Sequence, residues 1–182
     1  MCSRMVSIWS ACQSVFVKVM AHGVDLLLPN CVAAQYKCSL KLEAEDGRGG
    51  LRQPRSKASG GIAIVLFENE ENIHELVFTS TNNSCSMELL SVTYSNDGDA
   101  DSIEISLNNS LLANFKTYEH HNDGHNWNAF RTEDGFQMRQ PVNDGHTQLE
   151  VAARELENVR NRVEIDFMLV QVECFHELLP IE

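Results

Sequence analysis

From residue 41 onward, hydrophobic and polar positions alternate with the two-residue period of a β-strand or form short apolar runs. Turn-forming residues separate these segments, among them the repeated tripeptide Asn-Asp-Gly. The segments are rich in Val, Ile, Leu or Phe and span residues 62–67, 74–79, 85–94, 102–107, 148–153 and 162–172. Several short strands with such turns predict an all-β fold, a β-sandwich of the jelly-roll type.

Residues 40–47, with the sequence Leu-Lys-Leu-Glu-Ala-Glu-Asp-Gly, extend the strand pattern and contain two acidic positions. In a strand, Glu43 and Glu45 lie two residues apart and therefore point to the same side. Like charges that close repel each other. We expect either that both carboxylates face open solvent or that a cation lies between them.

Two segments fit the strand pattern less well. Residues 47–58 are rich in basic residues and glycine, which predicts a solvated loop. Residues 151–159 fit either a helix or a strand followed by a charged turn. The sequence leaves this second choice open.

A chain of 182 residues is large enough for one domain with its own core, and 43% hydrophobic and 22% charged residues are typical of a globular protein. We expect the β-sandwich domain at residues 38–175, followed by a C-terminal tail at 176–182. Residues 1–37 contain an apolar run of the kind that a signal peptide needs, but charged residues interrupt it. That segment is predicted either to be a cleaved signal peptide or to be disordered.

The net charge of −12 argues against binding to nucleic acids and to anionic membranes, which both require a basic surface. Neutral or cationic partners and divalent metals remain. No uncharged apolar run is long enough for a transmembrane helix. Asn-x-Ser triplets at 82–84 and 108–110 suit a secreted chain, although a protein rich in Asn and Ser also forms them by chance.

No motif in the sequence marks a catalytic site. Gly-x-Ser-x-Gly, Gly-x-Gly-x-x-Gly and a Walker-type lysine are absent, and no two cysteines form a Cys-x-x-Cys pair. His120, His121 and His125 invite a zinc interpretation, but their spacing matches no established site. The acidic residues at 97–101 resemble the start of an EF-hand loop without its glycine and its bidentate glutamate, so an exposed acidic turn is expected there. We expect a protein that is not an enzyme.

Four motifs follow one another along the chain. Leu42-Glu43-Ala44-Glu45-Asp46 and Ala58-Ser59-Gly60-Gly61 precede the apolar strand 62–67, residues 145–151 form a later strand, and residues 163–169 contain an Asp before an aromatic residue. In this order they resemble carbohydrate-binding modules of families 6 and 35: the first two are similar to the opening of those modules, the third to their Gly-x-His-x-Leu-x-Val strand and the fourth to their final strand. The match extends over residues 41–172 and implies a galactose-binding-like β-sandwich.

The resemblance also implies a structural calcium ion. In such modules the paired glutamates of the first strand and the aspartate of the last strand bind it, which here are Glu43, Glu45 and Asp166. A hard dication takes six to eight oxygen ligands, so it would answer the question raised by the paired glutamates. The alternative is an acidic edge that is simply solvated.

A disulfide follows from the same pairing of first and last strands. If Glu45 lies opposite Asp166, then Cys38 and Cys174 lie nearly opposite each other. In an oxidising compartment they would form a disulfide that closes a very long loop. Two buried thiols are the alternative.

The resemblance places a sugar site at the loop end of the sandwich. Trp127 matches the loop tryptophan of the family, whose ring would stack on a sugar. Many sugar-binding members carry an asparagine two residues before the final aspartate, where this chain has Glu164. The other residues expected to contribute are Tyr118, His125, Asn126 and Asn161. Burial of Trp127 in the core is the alternative.

The sequence therefore predicts a secreted or extracellular, non-catalytic carbohydrate-binding module with a structural calcium and a glycan or polysaccharide as its partner. The alternative is a β-sandwich that has lost sugar binding and contacts proteins, which Glu164 favours. An enzyme built on the histidine loop would require a metal at His120, His121 and His125.

Overall fold

The computed structural model describes residues 16–19, 35–79, 83–96, 98–118, 127–142, 145–155 and 162–176. Within them the chain forms strands and a 3-10 turn at Ala44–Asp46. The strands are β1 (Phe16–Val19), β2 (Gln35–Glu43), β3 (Leu51–Pro54), β4 (Ile62–Leu66), β5 (Glu71–Thr79), β6 (Asn83–Asn96), β7 (Ser102–Leu107), β8 (Ser110–Lys116), β9 (Arg131–Asp134), β10 (Arg139–Val142), β11 (Gly145–Glu155) and β12 (Val163–His176).

The strands form two antiparallel sheets that pack face to face. One sheet has the order β1-β5-β11-β7-β8, and the other has the order β10-β6-β12-β4-β3, with β2 also paired to β12 and β9 also paired to β6. Alternate residues of the two sheets point inward and form one apolar core, of which Tyr94 is the largest fully buried side chain. The predicted all-β sandwich is confirmed.

The predicted strands occur where the alternation placed them, and the structure extends most of them. The segment 47–58 is not loop throughout, because β3 forms within it and pairs with β4. Residues 151–155 continue β11 as a strand, which decides against a helix for that part, and 156–161 lie outside the described residues. No helix among the described residues is long and apolar enough to cross a membrane.

The long strand β12 runs through the centre of the second sheet and changes its neighbour at Asp166. Residues 163–165 pair with β4, whereas residues 167–175 pair with β2. On its other side β12 pairs with β6, and that register also shifts between Ile165 and Phe167. Asp166 therefore lies at a gap in the strand pairing on both sides, where other groups can approach its carboxylate.

The disulfide joins Cys174 to Cys85, so the predicted pair Cys38–Cys174 is wrong. Cys85 and Cys174 lie directly opposite each other in β6 and β12. The prediction had extended β2 to place Glu45 opposite Asp166. In the structure β2 ends at Glu43, which pairs with Phe167, and this register places Cys38 opposite Val172.

His74 of β5 is a titratable group inside the core. Its side chain is buried, and Nε2 has no hydrogen-bond partner in the part of the chain that the structure describes. Burial disfavours the charged imidazolium and lowers the pKa of His74 from 6.5 to about 4. In the folded protein the imidazole therefore stays neutral until the solution is strongly acidic.

We expect the free energy of unfolding to fall as the pH drops from 6.5 to about 4. The unfolded chain takes up a proton at this histidine over that range and the folded chain does not, a difference worth about 3 kcal/mol. Urea denaturation at a series of pH values, for the wild type and for His74→Leu, measures the effect. The variant should have a flatter profile, and equal slopes would contradict a role for His74.

Candidate functional site

Three carboxylates come together where β2, the 3-10 turn and β12 meet. Glu43 is the last residue of β2, Glu45 lies in the turn, and Asp166 lies at the gap in the pairing of β12. We call these three residues the acidic cluster. Glu45 is thus in the 3-10 turn rather than in the predicted strand, and its side chain is buried with 9% exposure.

Ser59 makes hydrogen bonds to two members of the acidic cluster. Its backbone N–H donates to Asp166 Oδ1 at 2.9 Å, and its hydroxyl donates to Glu43 Oε2. Lys41 Nζ lies 2.7 Å from the other oxygen of Glu43. Glu45 differs from Glu43 and Asp166, because its buried Oε2 has no hydrogen-bond partner among the described residues.

Burial and mutual repulsion make the acidic cluster unfavourable as three anions. Burial raises the pKa of Glu45, and the nearby charges of Glu43, Asp46 and Asp166 raise it further. Burial also raises the pKa of Asp166, partly offset by its hydrogen bonds from Ser59, and Glu43 raises it further. A cation bound among these oxygens would offset both the cost of burying the carboxylates and the repulsion between them.

The side chains are not arranged as a formed metal site. Across the described ranges, no group of three or more His, Cys, Asp or Glu side chains has an arrangement that would hold a metal ion. The chemistry of the donors nevertheless suits calcium, which prefers carboxylate oxygens. The unpartnered oxygen of Glu45 and the raised pKa values of Glu45 and Asp166 fit the same cation.

A second group of charged residues surrounds Trp127, which is half-buried in the loop before β9. The guanidinium carbon of Arg162 lies 4.6 Å from the centre of the Trp127 ring, and that of Arg55 lies 5.9 Å from it. Both distances are within the range of cation–π attraction. The indole is therefore in contact with charged side chains and is not enclosed in the apolar core.

Glu164 binds the two arginines near Trp127. Arg55 donates from Nε to Glu164 Oε2 at 2.6 Å and from a terminal nitrogen to Oε1, which is a bidentate ion pair. Arg162 Nε lies 3.9 Å from Glu164 Oε1. The Glu164 side chain is 0% exposed and that of Arg55 is 14% exposed, so this pair is largely removed from water. We call Arg55, Trp127, Arg162 and Glu164 the tryptophan cluster.

The structure brings together only part of the predicted ligand site. Trp127 and Glu164 lie in the tryptophan cluster. Tyr118 is exposed, and its ring contacts Arg131, whose guanidinium carbon lies 3.9 Å from the ring centre. The remaining predicted site residues, together with the other two histidines of the zinc interpretation, lie outside the described residues: His120, His121, His125, Asn126 and Asn161.

Exposure was expected for the acidic residues at 97–101, of which Asp97 lies outside the described residues, and this expectation is wrong for Asp101. Asp101 is fully buried and not exposed, and its backbone N–H donates to Thr117 Oγ1 at 2.8 Å. Thr117 in turn accepts a hydrogen bond from Asn96 at 2.8 Å. The segment is therefore anchored at the start of β7 by buried hydrogen bonds.

Arg55 and Ser59 were not among the site residues that the sequence predicts. Both lie in the β3–β4 connection: Arg55 falls in the segment 47–58 that was predicted only as a solvated loop, and Ser59 was noted only as part of the motif at 58–61. A signal was present in the sequence, because Glu164 alternates with apolar residues in a central strand, and a buried carboxylate there requires a cation. The identity of that cation depends on a contact between residues 109 positions apart.

No protein-family model and no curated protein sequence matches the chain. Solved structures match its fold at low sequence identity. A family 35 carbohydrate-binding module from Clostridium thermocellum has a TM-score of 0.51 and 12% identity, covering 72% of this chain and 96% of the module. An insecticidal delta-endotoxin from Bacillus thuringiensis has a TM-score of 0.55 and 13% identity, covering 76% of this chain and 24% of the toxin.

An exo-β-1,3-galactanase from Phanerochaete chrysosporium, solved with β-1,3-galactotriose, has a TM-score of 0.50 and 14% identity. That match covers 79% of this chain and 34% of the enzyme. At such identities the matches show a shared fold. The chain therefore has the β-sandwich fold of carbohydrate-binding modules, as the resemblance in the sequence implied.

Proposed function

We propose that this protein is a non-catalytic carbohydrate-binding module that binds a glycan at the tryptophan cluster and a structural calcium ion at the acidic cluster. The observation that supports it most is the half-buried ring of Trp127, held at a loop end by charged side chains. An aromatic face next to guanidinium donors offers both stacking and hydrogen bonds to a hydroxyl-rich ligand. The shared fold is consistent with this function but is not evidence for it by itself, because one fold can serve many functions.

Calcium would be held by Glu43, Glu45 and Asp166, and it would supply charge neutralisation rather than chemistry. The fit rests on the unpartnered Oε2 of Glu45 and on the carboxylates whose pKa values burial raises. A secreted or extracellular location belongs to the same proposal. The disulfide between Cys85 and Cys174 supports it, because disulfides persist in oxidising compartments.

Glu45→Gln tests the calcium site with two opposite effects. In wild type, calcium at 100 times its dissociation constant should raise the free energy of unfolding by about 2.7 kcal/mol. The variant should lose this response. Without calcium it should be more stable than wild type at neutral pH, because the raised pKa of Glu45 means that its charge opposes folding above that pKa.

Thermal unfolding with calcium and with chelator measures both effects. Glu68→Gln is the matched control, since Glu68 is an exposed carboxylate in the turn after β4. It should keep the full calcium response. An acidic cluster that is only a solvated edge would give no shift at millimolar calcium and no gain in stability for Glu45→Gln.

Trp127→Ala tests the glycan site. Binding to glycans selected on an array in the presence of calcium should become roughly tenfold weaker, because the loss of a stacking contact costs about 1.4 kcal/mol. Phe175→Ala is the control, since Phe175 is an exposed aromatic at the far end of β12. Equal binding by Trp127→Ala and wild type would place the glycan elsewhere.

A protein-interaction module is the second candidate, and the contacts of Glu164 favour it. Its carboxylate is occupied by Arg55, and arginines already contact the Trp127 ring. Tryptophan and arginine are the residues most enriched at the energetic centres of protein interfaces. An array on which a calcium-loaded, folded protein binds no glycan would decide for this second function.

A further inference from the structure

We propose that the β3–β4 connection, residues 55–61, couples the acidic cluster to the tryptophan cluster, so that a cation bound at the first changes the environment of Trp127 at the second. This inference rests on the proposed calcium site and extends the proposed function by assigning a regulation to its binding site. Each end of the connection contacts a different cluster.

On one side the connection contacts the acidic cluster through Ser59 and Gly60. Ser59 donates to Asp166 Oδ1 and to Glu43 Oε2. Gly60 lies so close to Glu45 that a β-carbon added at Gly60 would overlap Glu45 Oε1. Any movement of these carboxylates toward a cation must therefore also move Ser59 and Gly60 or break their contacts.

On the other side the connection contacts the tryptophan cluster. Arg55 lies over the Trp127 ring and holds Glu164. The residue after Trp127 is bound as well, because Asn128 Oδ1 accepts hydrogen bonds from the Lys57 backbone N–H at 3.3 Å and from the Ser56 hydroxyl at 3.4 Å. The position of the indole is thus tied to the first half of the connection.

Hydrogen bonds within the connection join its two halves into one unit. The Arg55 N–H donates to the Gly61 carbonyl at 3.0 Å, the Ala58 N–H donates to the Arg55 carbonyl at 3.2 Å, and the Gly61 N–H donates to the Ala58 carbonyl at 3.0 Å. Ala58 is buried, which anchors the middle of the connection. A shift at Ser59 is therefore transmitted to Arg55.

A cation held by Glu43, Glu45 and Asp166 would share carboxylate oxygens with Ser59. Calcium prefers several oxygen ligands, and two oxygens of the acidic cluster now accept hydrogen bonds from Ser59. Binding of calcium would therefore change the contacts that hold Ser59. If calcium raises the affinity for a ligand bound at Trp127, then by linkage that ligand raises the affinity for calcium by the same factor.

Trp127 fluorescence tests the coupling directly. The chain has two tryptophans, so Trp9→Phe leaves Trp127 as the reporter. Calcium alone, titrated far below the melting temperature, should change the emission of Trp127 and its quenching by iodide. The dissociation constant from this titration should agree with the one fitted to the rise of the free energy of unfolding with calcium concentration.

Two variants separate the steps. Glu45→Gln should lose both the thermal shift and the fluorescence change. Asn128→Ala, which leaves the acidic cluster intact, should keep the thermal shift and reduce the fluorescence change by at least half. A thermal shift with silent Trp127 emission would overturn the coupling and leave the calcium site of the proposed function in place, whereas the absence of any thermal shift would overturn both.

Discussion

Reduction of the disulfide between Cys85 and Cys174 should lower the free energy of unfolding by about 4 kcal/mol. The two cysteines are 89 residues apart, so the bond removes much of the conformational entropy of the unfolded chain. They also join β6 to β12, the central pair of the second sheet. Guanidinium denaturation with and without reductant measures the loss.

Cys38→Ala is the matched control, because Cys38 lies in the neighbouring strand β2 and takes no part in this disulfide. This variant should keep the full sensitivity to reductant, whereas Cys85→Ala should lose it and be as unstable as the reduced wild type. If reductant acted equally on Cys85→Ala and on wild type, the stabilisation would not come from this bond.

The sequence predicted the strands because their signals are local. Residues 102–107 were predicted as a strand and form β7 with the same bounds, since alternating apolar residues end at the Asn108-Asn109 turn. Both turn residues adopt positive φ angles of 49° and 65°, a conformation that asparagine tolerates well. Alternation and turn chemistry together determined the two-sheet architecture.

The disulfide could not be predicted because strand register is a non-local property. The pairing of β2 with β12 depends on where β2 ends, and it ends at Glu43, since the chain turns into a 3-10 segment at Ala44–Asp46. No residue type in Leu-Glu-Ala-Glu-Asp signals that turn. In the structure Cys38 lies opposite Val172, two residues from Cys174, whereas Cys85 of β6, on the other side of β12, lies directly opposite Cys174.

The sequence pointed to the three carboxylates of the acidic cluster, although only Glu43 and Asp166 belong to strands and Glu45 lies in the 3-10 turn. The carboxylates Glu43, Glu45 and Asp166 are neighbours in the structure, and the charge of Glu43 raises the pKa values of both Glu45 and Asp166. Arg55 was not predictable as the partner of Glu164, because the contact joins a hairpin connection to a distant strand. The calcium ion and the ligand residues around Trp127 stay predictions.

The ion pair with Arg55 changes the interpretation of Glu164. A carboxylate at this position, where many sugar-binding modules carry an asparagine, suggested a loss of the ligand site. In the structure the carboxylate orients Arg55, which in turn contacts Trp127. Glu164 therefore holds Arg55 beside Trp127 within the tryptophan cluster, and the strength of this contact can be measured by breaking the ion pair.

Arg55→Met should lower the free energy of unfolding by about 4 kcal/mol, because it leaves a carboxylate with 0% exposure without its bidentate partner. Arg162 lies 3.9 Å from Glu164 and compensates only in part. The double variant Arg55→Met/Glu164→Met should regain most of this stability, since it removes both charges and keeps apolar volume at both positions.

Chemical denaturation of the two single variants and the double variant gives the coupling energy of the pair. The matched control is Arg48→Met, which breaks an exposed ion pair with Glu75 and should cost less than about 1 kcal/mol. An additive double variant would show that the two side chains act independently. In that case Glu164 would be stabilised by other groups, and it would not hold Arg55 against Trp127.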